Sequence, residues 1–373
     1  MMVWFLFLVL VVIFGTEQFY RRQWKKGLTV KISFLEKTAY AGERVTLEEA
    51  VINQKRLPLP QLEVGFRVPK GLHFMDAENI VISDYVYKRD VFSLRGMEKI
   101  LRRYQVICEA RGRYPVSALT LHAKSLLQKH PYTWEIEGDG AGPSHDELLL
   151  VYAGYTDVTA IEKMCDNLLG EMESRSSLYE DPFLFAGIRD YSPSDPMNRV
   201  NWKAMARTGE LMVNTYASVQ DISCMIYLDV ADQKISKEKE LVEESIRIAA
   251  SLCRRMISRS SMTGLAVNSD PPICFTPERG RERLAQIEYI LTGDFNREKP
   301  TDFCSLFDLV KEKRSGINMP VIHIVISKNL REEDMERVPS PAVLVSPDMK
   351  NGELITNIQM HVQAVGKSRQ SAS

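Results

Sequence analysis

The chain has no excess of either charge: 48 lysines and arginines stand against 49 aspartates and glutamates, a formal net charge of −1. No global field draws it to nucleic acid or another polyanion, so an electrostatic partner has to be met by a local patch. Paired cysteines are also missing. Cys108, Cys165, Cys224, Cys253, Cys274 and Cys304 are scattered, with no C-x-x-C and no histidine at ligand spacing beside them. That excludes a zinc ribbon or a dithiol redox motif, and the six read as free thiols of a reducing compartment. H-E-x-x-H, G-x-S-x-G and G-x-x-x-x-G-K-[ST] are absent too, which leaves metalloprotease, α/β-hydrolase and P-loop chemistry without a motif. A hydrolase would have to recruit a lone Cys253 or Cys304 with His323, yet His323 lies inside the apolar run VIHIVIS, where a hydrogen-bonded core histidine is expected. His73, His122 and His130 are isolated and read as structural or merely exposed.

What is present is a chain of 373 residues, enough for two or three domains. Its one long apolar run is Met1 to Gly15, followed by a polar flank and then RRQWKK. As a helix, fifteen residues rise roughly 22 Å, and Phe19 and Tyr20 extend the span toward the ~30 Å of a hydrocarbon core. The run lacks a basic n-region and a small-residue cleavage site, so residues 1–20 read as a membrane anchor rather than a cleaved leader. Arg21, Arg22, Lys25 and Lys26 all follow it. The bias of positive charge to the cytoplasmic side then places the amino terminus outside and the remainder in the cytoplasm, single-pass.

Residues 28–152 alternate with a period of two, as in Leu28, Val30, Ile32 and Phe34, or Leu62, Val64, Phe66 and Val68, or Tyr104, Val106 and Cys108. Turn residues punctuate them, which predicts an antiparallel β-sandwich-like domain. GDGAGPS at 138–144 reads as a linker. Residues 153–220 hold a connecting helix from Asp157 to about Leu178 and a dense segment beyond it. Residues 221–366 alternate apolar strands with amphipathic helices: strands CMIYLDVA, GLAVN, VIHIVIS and AVLVS, with a helix from Ser236 and others around Leu284 to Leu291 and Phe303 to Val310. A strand at Leu211–Tyr216 would open the series, and Ile358, Met360 and Val362 would add an edge. This is the outline of a doubly wound α/β domain, and residues 367–373 read as a disordered tail.

Residues 187–217, GIRDYSPSDPMNRVNWKAMARTGELMVNTYA, hold the densest charge, aromatic and turn chemistry. Asp195-Pro196 suits a helix start and Gly209 a helix end, predicting one helix from Pro196 to about Thr208. Spacing of four then sets Arg199, Lys203 and Arg207 on one stripe. Three like charges repel, so either Asp190, Asp195, Glu210 or a carboxylate from the next domain satisfies them as an internal clasp, or an acidic partner protein does, or, last, phosphate or a nucleotide, although no P-loop glycine spacing accompanies them. Candidate partner-binding or clasp residues are Arg189, Tyr191, Asp195, Arg199, Trp202, Lys203 and Arg207.

The same window resembles the bacterial family called domain of unknown function 58, through Arg189, Tyr191, Ser194-Asp195, Arg199, Trp202, Ala206-Arg207, Gly209 and Leu211. Ser194 replaces the family's turn glycine. An Arg-Gly-x-Tyr element, here Arg111, Gly112 and Tyr114, adds to the likeness. The resemblance implies an amino-terminal membrane segment, although many members have two, then a strand-rich region and a von Willebrand factor A-like α/β domain. It also implies partnership with a MoxR-type AAA+ ATPase. Domains of the von Willebrand A kind hold Mg²⁺ through an Asp-x-Ser-x-Ser turn and a later Asp. The corresponding turn here is Asp229-Val230-Ala231-Asp232-Gln233, with Lys328 where the later acid would stand, so the site is expected to be degenerate and metal-free. The leading expectation is a non-catalytic membrane adaptor or assembly factor without cofactor, not binding nucleic acid. The alternatives are an extracytoplasmic protein-binding module and, last, a hydrolase.

Overall fold

The computed structural model describes residues 2–75, 80–124, 132–136, 148–175, 185–193, 195–216, 223–231, 236–295, 300–313, 321–328, 332–350 and 353–361. The expected linker at 138–144, His130, Ser194, Asp232, Val362 and the 367–373 tail lie outside them. The chain divides into two compact units, one of Met1–Tyr155 with Glu288–Asp294 and one of Thr156–Ile287 with Phe295–Ser373.

The first unit begins with α1 (Met2–Gln23). Within it Trp4–Gln23 is long and apolar enough to cross a membrane, twenty residues at ~1.5 Å rising about 30 Å. Strands β1 (Leu28–Phe34), β2 (Thr38–Tyr40), β3 (Arg44–Asn53), β4 (Leu59–Pro69), β5 (Leu72–Phe74) and β6 (Ile80–Ile82) follow. After them come β7 (Tyr85–Leu94), β8 (Glu98–Cys108), β9 (Gly112–Pro115), β10 (Ser117–Lys124), β11 (Tyr132–Ile136) and β12 (Leu148–Tyr152). They form a four-stranded sheet β1-β3-β8-β5, a five-stranded sheet β11-β10-β4-β7-β6 and a three-stranded sheet β2-β12-β9. Every pair in the two larger sheets is antiparallel, while β12 runs parallel to β2. The period-two residues are the core: Leu62, Val64, Phe66 and Val68 of β4 pack with Leu47 and Val51 of β3 and Phe92 of β7, each such side chain contributing roughly 1.5–3 kcal/mol by leaving water.

The Arg-Gly-x-Tyr element lies in β9 and the turn before it. The Tyr114 hydroxyl donates to Ala110 O at 2.7 Å, and its ring lies so close to Gly71 (φ +115°) that a Cβ there would meet the phenol oxygen at 2.3 Å. Arg111 donates to Leu291 O at 2.5 Å and Gly293 O at 2.9 Å, both in the 288–294 segment of this unit. These are carbonyls left over at a helix end, where a cation is favoured.

The second unit starts with α2 (Thr159–Arg175). Asp157 caps it, accepting from Thr159 N at 3.0 Å. Strands β13 (Phe185–Asp190) and β14 (Met212–Tyr216) enclose α3 (Trp202–Thr208). The main sheet comprises β15 (Ser223–Leu228), β16 (Met262–Val267), β17 (Ile273–Glu278), β18 (Val321–Ile326), β19 (Ala342–Lys350) and β20 (Glu353–His361), in the order β17-β16-β15-β18-β19-β20. The four inner strands are parallel and the two edges antiparallel. Helices α4 (Ser236–Ser258), α5 (Arg281–Leu291) and α6 (Ser305–Lys313) complete the series. Met225, Tyr227, Val325 and Leu344 pack with Leu306 and Phe307 of α6. Cys224 and Ile322, on the opposite face of the sheet, line a cavity with Cys165 of α2 and Met256 of α4. Helices thus cover both faces, and the inner strands read as continuous apolar runs for that reason. Glu162 of α2 fixes α4 by accepting from Arg255 at 3.1 Å and Arg259 at 2.7 Å.

Two expectations need correcting. The strand at Leu211–Tyr216 exists as β14, but it pairs with β13 in a separate ribbon and not with the main sheet. The edge strand β17 went unread because its sequence, ICFTPE, carries a proline, and Pro277 is tolerated at the register shift between β16 and β17.

Candidate functional site

The 187–217 window is a two-stranded ribbon with a helical excursion. β13 and β14 pair antiparallel from Asp190↔Met212 outward, and Tyr191 N donates to Leu211 O at 2.9 Å to continue the ladder. The single expected helix is broken. Met197–Arg199 is a turn of 3₁₀ helix, Val200 is extended (φ −64°, ψ 128°), and α3 starts only at Trp202. Tertiary bonding overrides the helix here: Val200 bridges Val213, Asn201 N donates to Met212 O at 2.8 Å, and Asn201 Nδ2 donates to Asn214 Oδ1 at 2.7 Å. The Asn201 Oδ1 then accepts from Ala204 N at 2.9 Å and caps α3. Gly209 closes it in the left-handed conformation, φ +80°, as expected.

The break divides the basic stripe. Arg199 sits on the 3₁₀ turn, half-buried, and only Lys203 and Arg207 share a helix face. Asp195 does not cap a helix. Its carboxylate takes Arg189 through two bonds, at 2.6 and 2.7 Å, and accepts from Ser192 N at 2.9 Å. The fork of Arg189 and the Ser192 amide hold the Asp195 carboxyl below the usual carboxylate range, with Arg199 adding to the field. Arg189–Asp195 is thus an internal clasp that fixes the ribbon's first turn. Trp202, Lys203 and Arg207 are exposed, Trp202 by 62%, and Lys203 and Arg207 make no ion pair among the described residues. Ile188, Met197 and Leu211 are exposed on the same motif. Asn201 and Asn214, which lock the motif, escaped the sequence reading; an asparagine directly before Trp202 was the available capping signal.

Asp229 follows β15 and is 6% exposed. Its Oδ1 accepts from Asn268 Nδ2 at 2.7 Å and Ala231 N at 3.0 Å, and its Oδ2 from Ser327 Oγ at 2.8 Å. The carboxylate therefore ties the ends of β15, β16 and β18 together through protein donors. Lys328 is half-buried beside Ser327, and among the described residues no three His, Cys, Asp or Glu side chains gather as a metal cluster. His323 Nδ1 lies 3.1 Å from the Tyr227 hydroxyl inside the core, as its place in the strand suggested. All six cysteines are free; burial lifts the Cys304 thiol to about 11, aided by its contact to Asp334, away from thiolate chemistry.

One buried polar group lies outside the sequence expectations. Between the sandwich sheets Glu49 (β3), Lys88 and Asp90 (β7) and Arg102 and Tyr104 (β8) meet. Lys88 Nζ is 3.1 Å from Asp90 Oδ2 and 4.0 Å above the Tyr104 ring. Arg102 reaches Asp90 at 3.7 Å. The Tyr104 oxygen lies 3.0 Å from Asp90 Oδ2 and 3.2 Å from Glu49 Oε2. A phenol has one proton, so it serves one carboxylate, and the other contact is satisfied when Glu49 is protonated and donates to it. Burial, then the charge of Asp90, pushes the Glu49 carboxyl up to about 8.

The family profile described as protein of unknown function DUF58 matches residues 187–340. A search of curated proteins finds no match. Among solved structures, the CARDB domain of a Pyrococcus furiosus protein, determined with di-metal ions, aligns over 30% of this chain and 90% of its own at 17% identity and TM-score 0.19. The C-terminal domain of wzt aligns over 34% and 73% at 8% identity and TM-score 0.22. A β-glucosidase from Listeria innocua aligns over 30% of this chain and 16% of its own at 14% identity and TM-score 0.17. Superpositions at these scores have no bearing on fold or function.

Proposed function

We propose that the chain is a membrane-anchored, non-catalytic adaptor whose α/β domain, of the von Willebrand A-like kind with a degenerate metal site, binds a MoxR-type AAA+ ATPase in the cytoplasm. The observation that carries this reading is the exposure of Trp202 and of the Lys203–Arg207 pair on a motif whose own clasp, Arg189–Asp195, is already closed. Exposed tryptophan and arginine are the residues that dominate binding energy at protein interfaces, and two unmatched cations call for an acidic partner. Supporting a binding role over catalysis, Cys304 is held protonated and His323 is engaged by Tyr227. Arg21, Arg22, Lys25 and Lys26 after α1 support the cytoplasmic orientation.

The test is capture of the purified ATPase by the full-length chain in lipid nanodiscs, compared with a Trp202→Ala/Lys203→Glu/Arg207→Glu variant whose circular dichroism is unchanged. Binding by the parent and at least tenfold weaker binding by the variant, about 1.4 kcal/mol or more, is expected. Equal binding would move the contact elsewhere, and no binding by the parent would end the adaptor reading.

A further inference from the structure

Three separate loops meet where α1 enters the sandwich, and one buried side chain joins two of them. Asn53, 1% exposed, donates through Nδ2 to Leu57 O at 2.9 Å and Arg95 O at 2.8 Å. Gln54 N donates to Gly27 O at 2.7 Å, and Met97 N to Lys55 O at 2.9 Å. The Lys55 ammonium donates to Trp24 O, the carbonyl directly after the apolar span. A Cβ on Gly96 would meet Arg56 O at 2.3 Å, so the 95–97 and 54–57 turns touch backbone to backbone. The helix itself is held to this end: Trp24 is 1% exposed and packs on Tyr132 and Trp134 at 6.5 and 6.3 Å between ring centres, and Tyr132 donates to Glu17 at 2.5 Å.

The surface produced is basic with an apolar tip. Arg21, Arg22, Lys25, Lys26, Arg56 and Arg95 are exposed there. Of the acids nearby, Glu17 is taken by Tyr132 and Glu98 by Arg95 N at 2.5 Å. Met97, 71% exposed, projects from the hairpin tip in the left-handed conformation, φ +58°. Sequence alone places only the first four cations beside the helix; the fold adds Arg56 and Arg95 from loops 30 and 69 residues further along than Lys26. We infer that this end of the sandwich seats on the bilayer that α1 enters, with Arg56 and Arg95 joining the juxtamembrane cations on anionic phospholipid headgroups and Met97 inserted among them. The inference rests on the reading of α1 as a membrane span. Continuity with the span and charge complementarity select the occupant: the 54–57 loop is bonded directly to residues 24–27, the 95–97 loop is bonded to it in turn, charges within about a Debye length, ~10 Å, of the headgroups feel them, and basic side chains gain about fivefold each at an anionic leaflet.

The test uses the full-length chain in a Cys274→Ser background, the other five thiols being buried. A bimane is attached at Met97→Cys or, as control, at Lys70→Cys, an exposed site at the far end of eleven-residue β4, roughly 35 Å away at ~3.3 Å per residue. Vesicles of phosphatidylcholine, with or without phosphatidylglycerol, carry a headgroup nitroxide quencher. Severalfold stronger quenching at position 97 in the phosphatidylglycerol vesicles is expected, lost at high salt and in Arg56→Glu/Arg95→Glu, with position 70 unquenched throughout. Flotation with vesicles after alkaline wash reports the anchor independently. A chain that floats while position 97 is quenched no more than position 70 overturns the seating and leaves the anchor intact; a chain that does not float ends both.

Discussion

Replacing Glu49 by glutamine should flatten the pH dependence of the sandwich's stability. Glu49 is fully buried between the sheets, and Oε1 has no hydrogen-bond partner among the described residues. Its carboxyl rises from an ordinary 4.5 to about 8 in the folded state. A raised acid means that the folded state binds the proton more tightly than the unfolded chain, so this group's contribution is complete below about pH 4.5 and is lost as pH rises through about 8. Between about pH 5 and pH 8 the loss is at most a few kcal/mol. For a unit of this size each kcal/mol corresponds to roughly 2–4 °C in Tm. The assay is thermal unfolding of the full-length chain in Trp4→Phe/Trp202→Phe, where Trp24 and Trp134, both in the sandwich unit, report the transition. The parent should lose stability as pH rises, and Glu49→Gln, neutral at every pH, should not. Parallel curves for the two proteins would refute the reasoning and mean that Glu49 is ionised in the fold, matched by Lys88 and Arg102.

Three further outcomes follow from the second unit. Asp229→Ala strands the donors of Asn268, Ala231 and Ser327 and should cost about 3 kcal/mol in urea unfolding, whereas a surface aspartate would cost almost nothing. Gly264→Ala places a Cβ 2.6 Å from Met225 Sδ and Phe275 O and should destabilise by about 1–3 kcal/mol, read as a lower urea midpoint. Glu162→Gln should cost about 1 kcal/mol, since Arg255 and Arg259 remain 50% and 44% exposed, and the difference should shrink at high salt.

Much of this architecture was legible because burial repeats with the period of the element. The alternation in β4 predicted its four core residues, and the unbroken runs of β15 and β18 announced strands covered on both faces. The site was legible in composition but not in shape. Asp195-Pro196 and Gly209 bracket what sequence reads as one helix, and nothing local reveals that Asn201 bonds to Met212 and Asn214 instead of continuing the turn. The Glu49 group was missed although its signal was present: in β3 the inward positions run Val45, Leu47, Glu49, Val51, Asn53, and a carboxylate and an amide in an otherwise apolar register mark buried polar partners. Those partners come from β7, β8 and the 95–97 turn, which only the folded chain brings near.

The grip of Arg111 on residues 291 and 293 also bears on how the protein is made. The amino-terminal unit is completed by Glu288–Asp294, so the ribosome must add residues 156–287 after Tyr155 before the last piece exists. At about 5–20 residues per second that delay is on the order of ten seconds. Throughout it the guanidinium groups of Arg111 and Arg113 wait without the carbonyls of Leu291, Gly293 and Tyr289. A nascent chain stalled or cut anywhere between the two segments carries a nearly complete sandwich with this one corner open.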